Sequence, residues 1–323
     1  MKIFVTGASG FVGGAITSHL KDKHQILAMA RSPASQEKVQ SLGAEAVACD
    51  LFSITAEHLA QVDIVIHAAA RAEEWGSFEQ FYQANVVGTQ NMLMAAKAAG
   101  VKRFIFVGTE AALFKGQDLH YINESYPYAL DSPYPYSQTK AMAEKQVLEA
   151  NSTDFETLSL RPRMVWGPND QSILPAILDM LNKGAFVWVA NGQALSSSTY
   201  IGNFVHAIEL ALDKGVAGEA YFITDKEISS IKTFFTKLVS TRGMTIPEKS
   251  IPSWLVRSSA YVLDHIWKGL RLKTQPPISR MAAGMMSSSC TLSTKKAQKD
   301  LGYAPLFSVE EGFRILCGQV KDV

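Results

Sequence analysis

The chain has 323 residues, 31 Lys and Arg against 30 Asp and Glu, a formal net charge of +1 and 47% hydrophobic residues. That length buries a sizeable core, in one large domain or two coupled ones. The near-neutral balance leaves no electrostatic footprint for nucleic acid. Cys49, Cys290 and Cys317 lie far apart with no CxxC, which argues against a disulfide framework or a zinc site and for a reducing, cytoplasmic location. The seven histidines have no metal-ligand spacing, so no metal is expected. A strand expected from Lys2 leaves no room for a signal peptide. No uncharged apolar run reaches about 18 residues, so no spanning helix is expected.

In chain order, "KIFVTG" is a β-branched run meeting a glycine turn, and "FVGGAITSHLKD" has helical spacing. "QILAMA", "EAVACD" and "DIVIHAAA" read as the second, third and fourth strands. Their continuous apolar character suits parallel strands buried on both faces. "NVVGTQNMLMAAKAAG" is a helix stopping at Gly100, "RFIFVGT" a fifth strand, "SQTKAMAEKQVLEAN" a long helix and "ETLSLRP" a sixth strand. This alternation predicts an α/β fold with a doubly wound parallel sheet of the Rossmann type over residues 1–168. Beyond Pro168 the rhythm loosens, with helices near Leu174–Lys183, Gly202–Lys214 and Ile231–Arg242. Residues 169–323 are expected to form a smaller, mostly helical substrate lobe. Segments near 198–225 should return to the main sheet, "YFITD" (Tyr221–Asp225) as a strand.

The loop "TGASGFVGG" sets Gly7, Gly10 and Gly13 at intervals of three between a strand and a helix. A dinucleotide needs a tight turn, a close backbone approach to its pyrophosphate and close helix–strand packing, which is the glycine requirement. Ser9, Gly10, Phe11, Val12 and Gly13 bring the helix N-terminus and its free N–H groups to the phosphates. An NAD site usually places Asp or Glu after the second strand, whereas "ILAMA" runs into Arg31 and Ser32. A guanidinium suits a 2′-phosphate, so NADP(H) is expected over NAD(H). Asp50 and Leu51 close the third strand where adenine would lie. Ala68, Ala69 and Ala70 close the fourth, where small side chains let a cofactor lie flat.

The glycine pattern, "CDL", "HAAA", "NVVGT", "YSQTK" and "LRPRMVWGP" together resemble the extended short-chain dehydrogenase/reductase superfamily over essentially the whole chain. "TYIGNFVHAIELAL" and "TLSTKKAQKDLGYAPLFSVEEG" are similar to its 3β-hydroxysteroid dehydrogenase-like branch. "EEWGSFEQFYQANVVGT" and "LRPRMVWGPNDQ" most resemble the bacterial 2-alkyl-3-oxoalkanoate reductases. That resemblance implies an NADP(H)-dependent oxidoreductase interconverting a secondary alcohol and a ketone on a hydrophobic β-keto or β-hydroxy acid, or on a 3-hydroxysteroid-like substrate.

In "PYPYSQTK", Tyr136 and Lys140 are four apart and share one helix face, with Pro135 setting the chain direction before them. A free phenol titrates near about 10 and transfers protons poorly at neutral pH. A nearby ammonium, together with the positive nicotinamide of the oxidised cofactor, is expected to lower that value, letting Tyr136 give its proton to the ketone oxygen while Lys140 holds the nicotinamide ribose. The resemblance implies Thr109 as the hydroxyl that orients the substrate oxygen. Many relatives carry consecutive serines there, whereas this chain has Gly108–Thr109–Glu110, with Glu110 facing either substrate or solvent. Asn85 matches an asparagine position of the family, with a structural polar contact as the alternative. Pro162 lies in the turn that the resemblance places beside the nicotinamide. Its neighbours Arg161 and Arg163 serve there or form surface ion pairs. His67 reads as a satisfied core residue, and Trp75 and Trp166 as pocket lining or core.

"IPSWLVRSSAYVLDHIWKGLRLK", residues 251–273, carries Leu255, Val262, Ile266 and Leu270 at helical spacing, with Trp254, Tyr261, Leu263 and Trp267 widening the apolar face. Arg257, Lys268, Arg271 and Lys273 oppose a single Asp264. The segment is either packed core or a greasy lid resting on a membrane or partner surface. The expected partners are a hydrophobic small molecule and a second copy in a homodimer, with peripheral membrane or pathway-protein contact open. Two other functions stay open: an NAD-dependent nucleotide-sugar epimerase or dehydratase on the same fold, and a non-catalytic NADP-sensing protein. Arg31 and the apolar second lobe argue against the first, and the intact Tyr136–Lys140 pair against the second.

Overall fold

The computed structural model describes every residue except Glu74, Arg271, Lys273 and residues 319–323. Seven parallel strands form the central sheet: β1 Lys2–Thr6, β2 Gln25–Met29, β3 Glu45–Val47, β4 Ile64–His67, β5 Arg103–Val107, β6 Glu156–Pro162 and β7 Glu219–Ile223. Their spatial order is β7-β6-β5-β4-β1-β2-β3. Successive side chains of a strand point to opposite faces. Ile3, Val5, Ile64, Ile66 and Ile105 therefore feed one core, and Phe4, Val65, Phe104 and Phe106 the other. Two buried faces explain why these strands read as unbroken apolar runs.

Helices Phe11–Leu20 and Ile201–Leu210 cover the first face, placing Ile16, Leu20, Phe204 and Ile208 in its core. Glu209 ties the pair at the surface through His19 at 2.8 Å and Lys23 at 2.5 Å. Helices Gly88–Ala98 and Pro135–Glu149 cover the second face with Met92, Leu93, Ala143 and Val147. The strand order reverses at β1, whose last residue Thr6 pairs with His67 at the end of β4. A crevice opens beyond the carboxyl ends of these two strands, where ligands bind in open α/β sheets.

The second lobe is not only helical. It holds a four-stranded sheet ordered Ile228–Ser230, Leu195–Ser197, Cys290–Leu292, Leu119–Ile122. The last strand comes from the first half of the chain, between β5 and β6. Helices Ile173–Asn182, Ile231–Ser240, Ser253–Gly269 and Arg280–Ser287 complete the lobe. Buried Asp225, just past β7, accepts from Trp166 Nε1 (3.0 Å), Ser198 Oγ (2.7 Å), the Tyr200 amide (2.8 Å) and Asn203 Nδ2 (2.8 Å). Trp166 packs against Tyr200, Phe234 and Phe313, so it is core and lines no pocket. Among the described residues no helix is long and apolar enough to cross a membrane.

Candidate active site

The glycine loop is held by close backbone contacts. Gly7 has φ +71°, and a Cβ there would meet the Ala69 nitrogen at 2.8 Å and the Ala68 carbonyl carbon at 2.9 Å. A Cβ on Gly10 would lie 3.2 Å from the Gly7 oxygen, and one on Gly13 would collide with that atom. Helix Phe11–Leu20 begins at Gly10 with no side-chain cap and no acid in its first turn. Its first N–H groups lack intrahelical partners and form a cradle for an anion, with half-buried Ser9, Phe11 and Val12 around it. Ala68, Ala69 and Ala70 follow β4 and wall the crevice, with the Ala69 amide donating to Thr6 Oγ1 at 3.0 Å.

At the end of β2, Arg31 is exposed and engaged in no ion pair among the described residues. Ser32 caps helix Pro33–Ser41, accepting from the Ser35 amide at 3.3 Å. Asp50 lies near enough to feel the Arg31 charge, but its Oδ1 is committed to the turn, accepting from the Phe52 and Ser53 amides at 2.8 Å each. Those backbone bonds are the main reason its carboxyl titrates below its usual range. Leu51 packs beneath Gly88, where an added Cβ would come within 2.8 Å of it. The cradle and the flat alanine wall fit a dinucleotide, with the exposed Arg31 guanidinium and Asp50 both at the edge of the crevice.

Pro135 is the first residue of helix Pro135–Glu149, where a missing N–H costs nothing and a fixed φ helps. Tyr136 and Lys140 lie on one face of that helix. The Lys140 ammonium, 3% exposed, donates to the Val107 carbonyl at 2.8 Å and sits over the Phe106 ring. Burial lowers its pKa to about 7, with Glu144 acting in the opposite direction. The Tyr136 phenol moves the other way from the sequence expectation. Burial and then the Glu110 charge push its pKa well above the usual tyrosine value, and a hydrogen bond with Thr109 only partly offsets them. The amine expected to lower that value is turned to the end of β5 and is itself only marginally charged at neutral pH. In the protein alone these effects favour the neutral phenol.

Thr109 caps the turn Glu110–Leu113, accepting from the Ala111 amide at 3.2 Å and donating to Glu110 Oε2 at 2.9 Å. Glu110 is not turned to solvent, and its Oε2 lies against Thr109. It is buried and paired with Arg163, Nη1 to Oε1 2.5 Å, while Arg163 Nε donates to Ser196 at 3.0 Å. Arg161 is likewise no surface residue. It is 1% exposed and paired with buried Glu144, which also accepts from Ser159 Oγ and Tyr128 OH at 2.8 Å each. These two pairs account for Gly108–Thr109–Glu110. A Cβ on Gly108 would collide with Ser159 Oγ and reach Glu144 Oε2 at 2.5 Å, and Glu110 compensates Arg163. Glu144 escaped the sequence reading, although it follows Tyr136 and Lys140 at the same four-residue interval. Pro162 ends β6 buried, paired in register with Ile223.

Asn85 lies in a π-helical turn, Tyr82–Val87, a form common at functional sites. Its Oδ1 accepts from the Arg71 amide at 2.7 Å, and its Nδ2 donates to the Arg71 carbonyl (3.2 Å) and Thr139 Oγ1 (3.1 Å). Its side-chain amide thus bonds to the helix that carries Tyr136 through Thr139. His67 belongs to the same network. Thr89 Oγ1 donates to the Asn85 carbonyl at 2.6 Å, so it accepts from His67 Nε2 at 3.0 Å, and Nδ1 accepts from Thr6 Oγ1 at 2.7 Å. Burial, with the Lys140 charge second, drops the imidazole pKa to about 3, so His67 is a neutral core residue. The chain of bonds from Thr6 to Thr139 links the glycine loop to the catalytic helix.

Before Tyr136 lies a narrow cleft walled by Trp75, Phe81, Pro133, Tyr134 and Met281, with Asp264, Lys268 and Arg280 the charged residues at its rim. Trp75 thus lines the cleft. Among the described residues no group of three or more His, Cys, Asp or Glu is placed to hold a metal ion.

The model of the 3-beta hydroxysteroid dehydrogenase/isomerase family matches residues 4–253. The chain is 34% identical over 319 residues to the 4-hydroxy-2-methyl-3-oxo-4-farnesyl-3,4-dihydroquinoline-1-oxide ketoreductase of Stigmatella aurantiaca, covering 98% of this chain and 96% of that one. It is 34% identical over 328 residues to the 2-alkyl-3-oxoalkanoate reductase of Stenotrophomonas maltophilia, covering 98% of each. Among solved structures, the UDP-glucuronic acid 4-epimerase of Bacillus cereus in complex with NAD superposes with a TM-score of 0.75 over 99% of each chain, at 20% identity, a likeness of fold alone. The glycine cradle, the Tyr136–Lys140 face and these matches place the chain in the 3-beta hydroxysteroid dehydrogenase/isomerase family, as a nicotinamide-dinucleotide-dependent oxidoreductase of alcohol and keto groups.

Proposed function

We propose that the protein interconverts a secondary alcohol and a ketone on a hydrophobic β-oxygenated acid, of the 2-alkyl-3-oxoalkanoate kind, with NADP(H) as its preferred cofactor. The observation that carries this reading is the Tyr136 phenol lining a largely apolar cleft, one helical turn from Lys140. The dinucleotide, when bound, supplies or accepts the hydride. Gly7, Gly10 and Gly13 with the first N–H groups of helix Phe11–Leu20 hold its phosphates, Arg31 and Ser32 its 2′-phosphate, and Lys140 its ribose. In the reducing direction Tyr136 gives its proton to the ketone oxygen. Thr109, turning its hydroxyl from Glu110, orients that oxygen. The Glu110–Arg163 and Glu144–Arg161 pairs fix the end of β5 and the helix between which these groups sit.

The same reading assigns a lipid surface to helix Ser253–Gly269. Its inward residues are Val256, Ala260 and Asp264. Its outward stripe shows Trp254 (67% exposed), Leu255, Tyr261, Val262 and Ile266. Its charged exposed residues are Arg257, which donates to the Gly116 carbonyl at 3.0 Å and Ser288 Oγ at 2.6 Å, and Lys268, paired with Asp264 at 2.8 Å; no exposed acid on the helix repels anionic headgroups. Arg271 and Lys273, counted with this basic set in the sequence, lie outside the described residues. Trp267 does not join the stripe, since its ring nitrogen is buried.

The test of function is a screen for NADPH and NADH oxidation against 2-alkyl-3-oxo acids, 3-ketosteroids and dihydroflavonols, with nucleotide sugars assayed for epimerisation. NADPH-linked turnover of the oxo acids is expected. Epimerisation with cofactor that survives gel filtration overturns the reading.

A further inference from the structure

The cleft before Tyr136 is apolar except for one cluster. Asp264, 5% exposed, projects from the inward face of helix Ser253–Gly269. Lys268 Nζ reaches its Oδ2 at 2.8 Å, and Arg280 Nη1 stands 3.6 Å from the same oxygen. All three line the cleft that Tyr136 opens onto. One carboxylate against two cations leaves a net positive charge on an apolar wall. Both cationic side chains reach solvent, Lys268 with 51% and Arg280 with 27% of its surface accessible, so the guanidinium can be approached from the cleft. Lys268 is satisfied by Asp264. Arg280 is not. At 3.6 Å it has an ion pair without a hydrogen bond, and no hydrogen bond joins its guanidinium to another described residue. The Tyr261 ring lies 5.0 Å from the guanidinium carbon and steers the group without accepting from it, and Tyr134 of the same cleft lies near enough to feel its charge.

We infer that Arg280, assisted by Lys268, binds the carboxylate of the substrate, and that Asp264 is the positioning residue that holds both cations at the cleft rim. A guanidinium presents a planar fork of donors that matches a carboxylate bidentately, which a lysine cannot do. A carboxylate separated from the reacting carbon by a single carbon, as in a β-oxygenated acid, would place the anion near the oxygen that Tyr136 protonates. A neutral ketone or sterol leaves the fork unpaired. The site is thereby selective for the acid over an uncharged analogue of equal length. The inference rests on the oxidoreductase reading above and names the feature of the substrate that the site recognises.

The experiment uses the full chain and two stable substrates with the same alkyl chains, a 2-alkyl-3-hydroxy acid and its methyl ester, followed by NADP+ reduction. The ester keeps the alcohol and the chains and lacks the charge. Arg280→Met is expected to raise KM for the acid by roughly 10- to 100-fold, the worth of a charge-assisted hydrogen bond. The loss in kcat/KM on the acid should exceed the loss on the ester by roughly tenfold or more, and should fall mainly on KM. Arg280→Lys should recover part of the loss on the acid, because it restores the charge without the fork. Equal losses on acid and ester, or an unchanged KM for the acid, overturn the inference. A parent that oxidises the ester and ignores the acid also overturns it while leaving the oxidoreductase reading standing, and a parent inert to both overturns the two together.

Discussion

Lys140 is an amine held where water cannot reach it, and its titration separates the folded from the unfolded chain. Folded, it binds its proton with a pKa of about 7, against 10.5 for the free side chain. Below pH 7 both states are protonated, and the folded state bears the full penalty of a buried charge. Between about 7 and 10.5 the unfolded state binds more protons, so this group makes stability rise with pH across that window. Thermal melts of the cofactor-free protein should show the rise, and Lys140→Met should flatten it; a melt curve unchanged by that substitution contradicts the burial argument. Tyr136→Phe keeps the ring and removes the proton donor. Turnover should fall roughly 100- to 10,000-fold while NADP(H) affinity, read by cofactor fluorescence titration, stays near that of the parent. Glu110→Gln leaves Arg163 buried without its counter-charge and should destabilise by about 3–5 kcal/mol in denaturant unfolding, with Glu110→Gln plus Arg163→Met recovering part of the loss. Arg31→Asp should lower the NADP/NAD ratio of kcat/KM by roughly tenfold or more, since a charge-assisted contact is worth about 1.5–3 kcal/mol. At this scale the sequence made Tyr136, Lys140 and the three glycines legible, because local spacing alone determines which of them share a face or a turn. Glu144 and the burial of Glu110, Arg161 and Arg163 were not legible. Their pairing joins residues 17 and 53 positions apart, a matter of tertiary placement.

Elements differ in how far their own residues specify them. Helix Pro135–Glu149 has a proline at its first position, and that signal is local. The small sheet of the second lobe could not be read in advance. Strands such as Leu195–Ser197 and Ile228–Ser230 are three residues long and partly polar, and they exist through pairing with each other and with Cys290–Leu292. Periodicity has nothing to measure over three residues. Helix Ser253–Gly269 reads correctly as amphipathic, but which face packs depends on neighbours outside it. The outward stripe carries a prediction of its own. The parent should co-sediment with phosphatidylserine-containing vesicles and be released by salt. Trp254→Ser with Val262→Ser should abolish binding without lowering the melting temperature, since both side chains are more than half exposed. A parent that stays in the supernatant with those vesicles removes the lipid surface from the account.

At the scale of the molecule, the parallel sheet follows from unbroken apolar strands alternating with helices, and its strand-order reversal at β1 brings the glycine loop and the alanine wall together. The hydrogen-bond chain through Thr6, His67, Thr89, Asn85 and Thr139 then ties the cofactor cradle to the helix that carries the phenol. The sequence indicates that cradle and phenol belong to one crevice, but not what closes over it, because the cleft walls come from segments as distant as Trp75, Tyr134 and Arg280. The central claim is that Tyr136 serves a hydride transfer between NADP(H) and a β-oxygenated acid. The most direct measurement supplies a 2-alkyl-3-hydroxy acid deuterated at its carbinol carbon together with NADP+, and follows the label by mass spectrometry in the parent and in Tyr136→Phe. The account predicts deuterium in the NADPH formed by the parent and almost none with Tyr136→Phe. Absence of label transfer in the parent, or transfer that Tyr136→Phe leaves untouched, would contradict it.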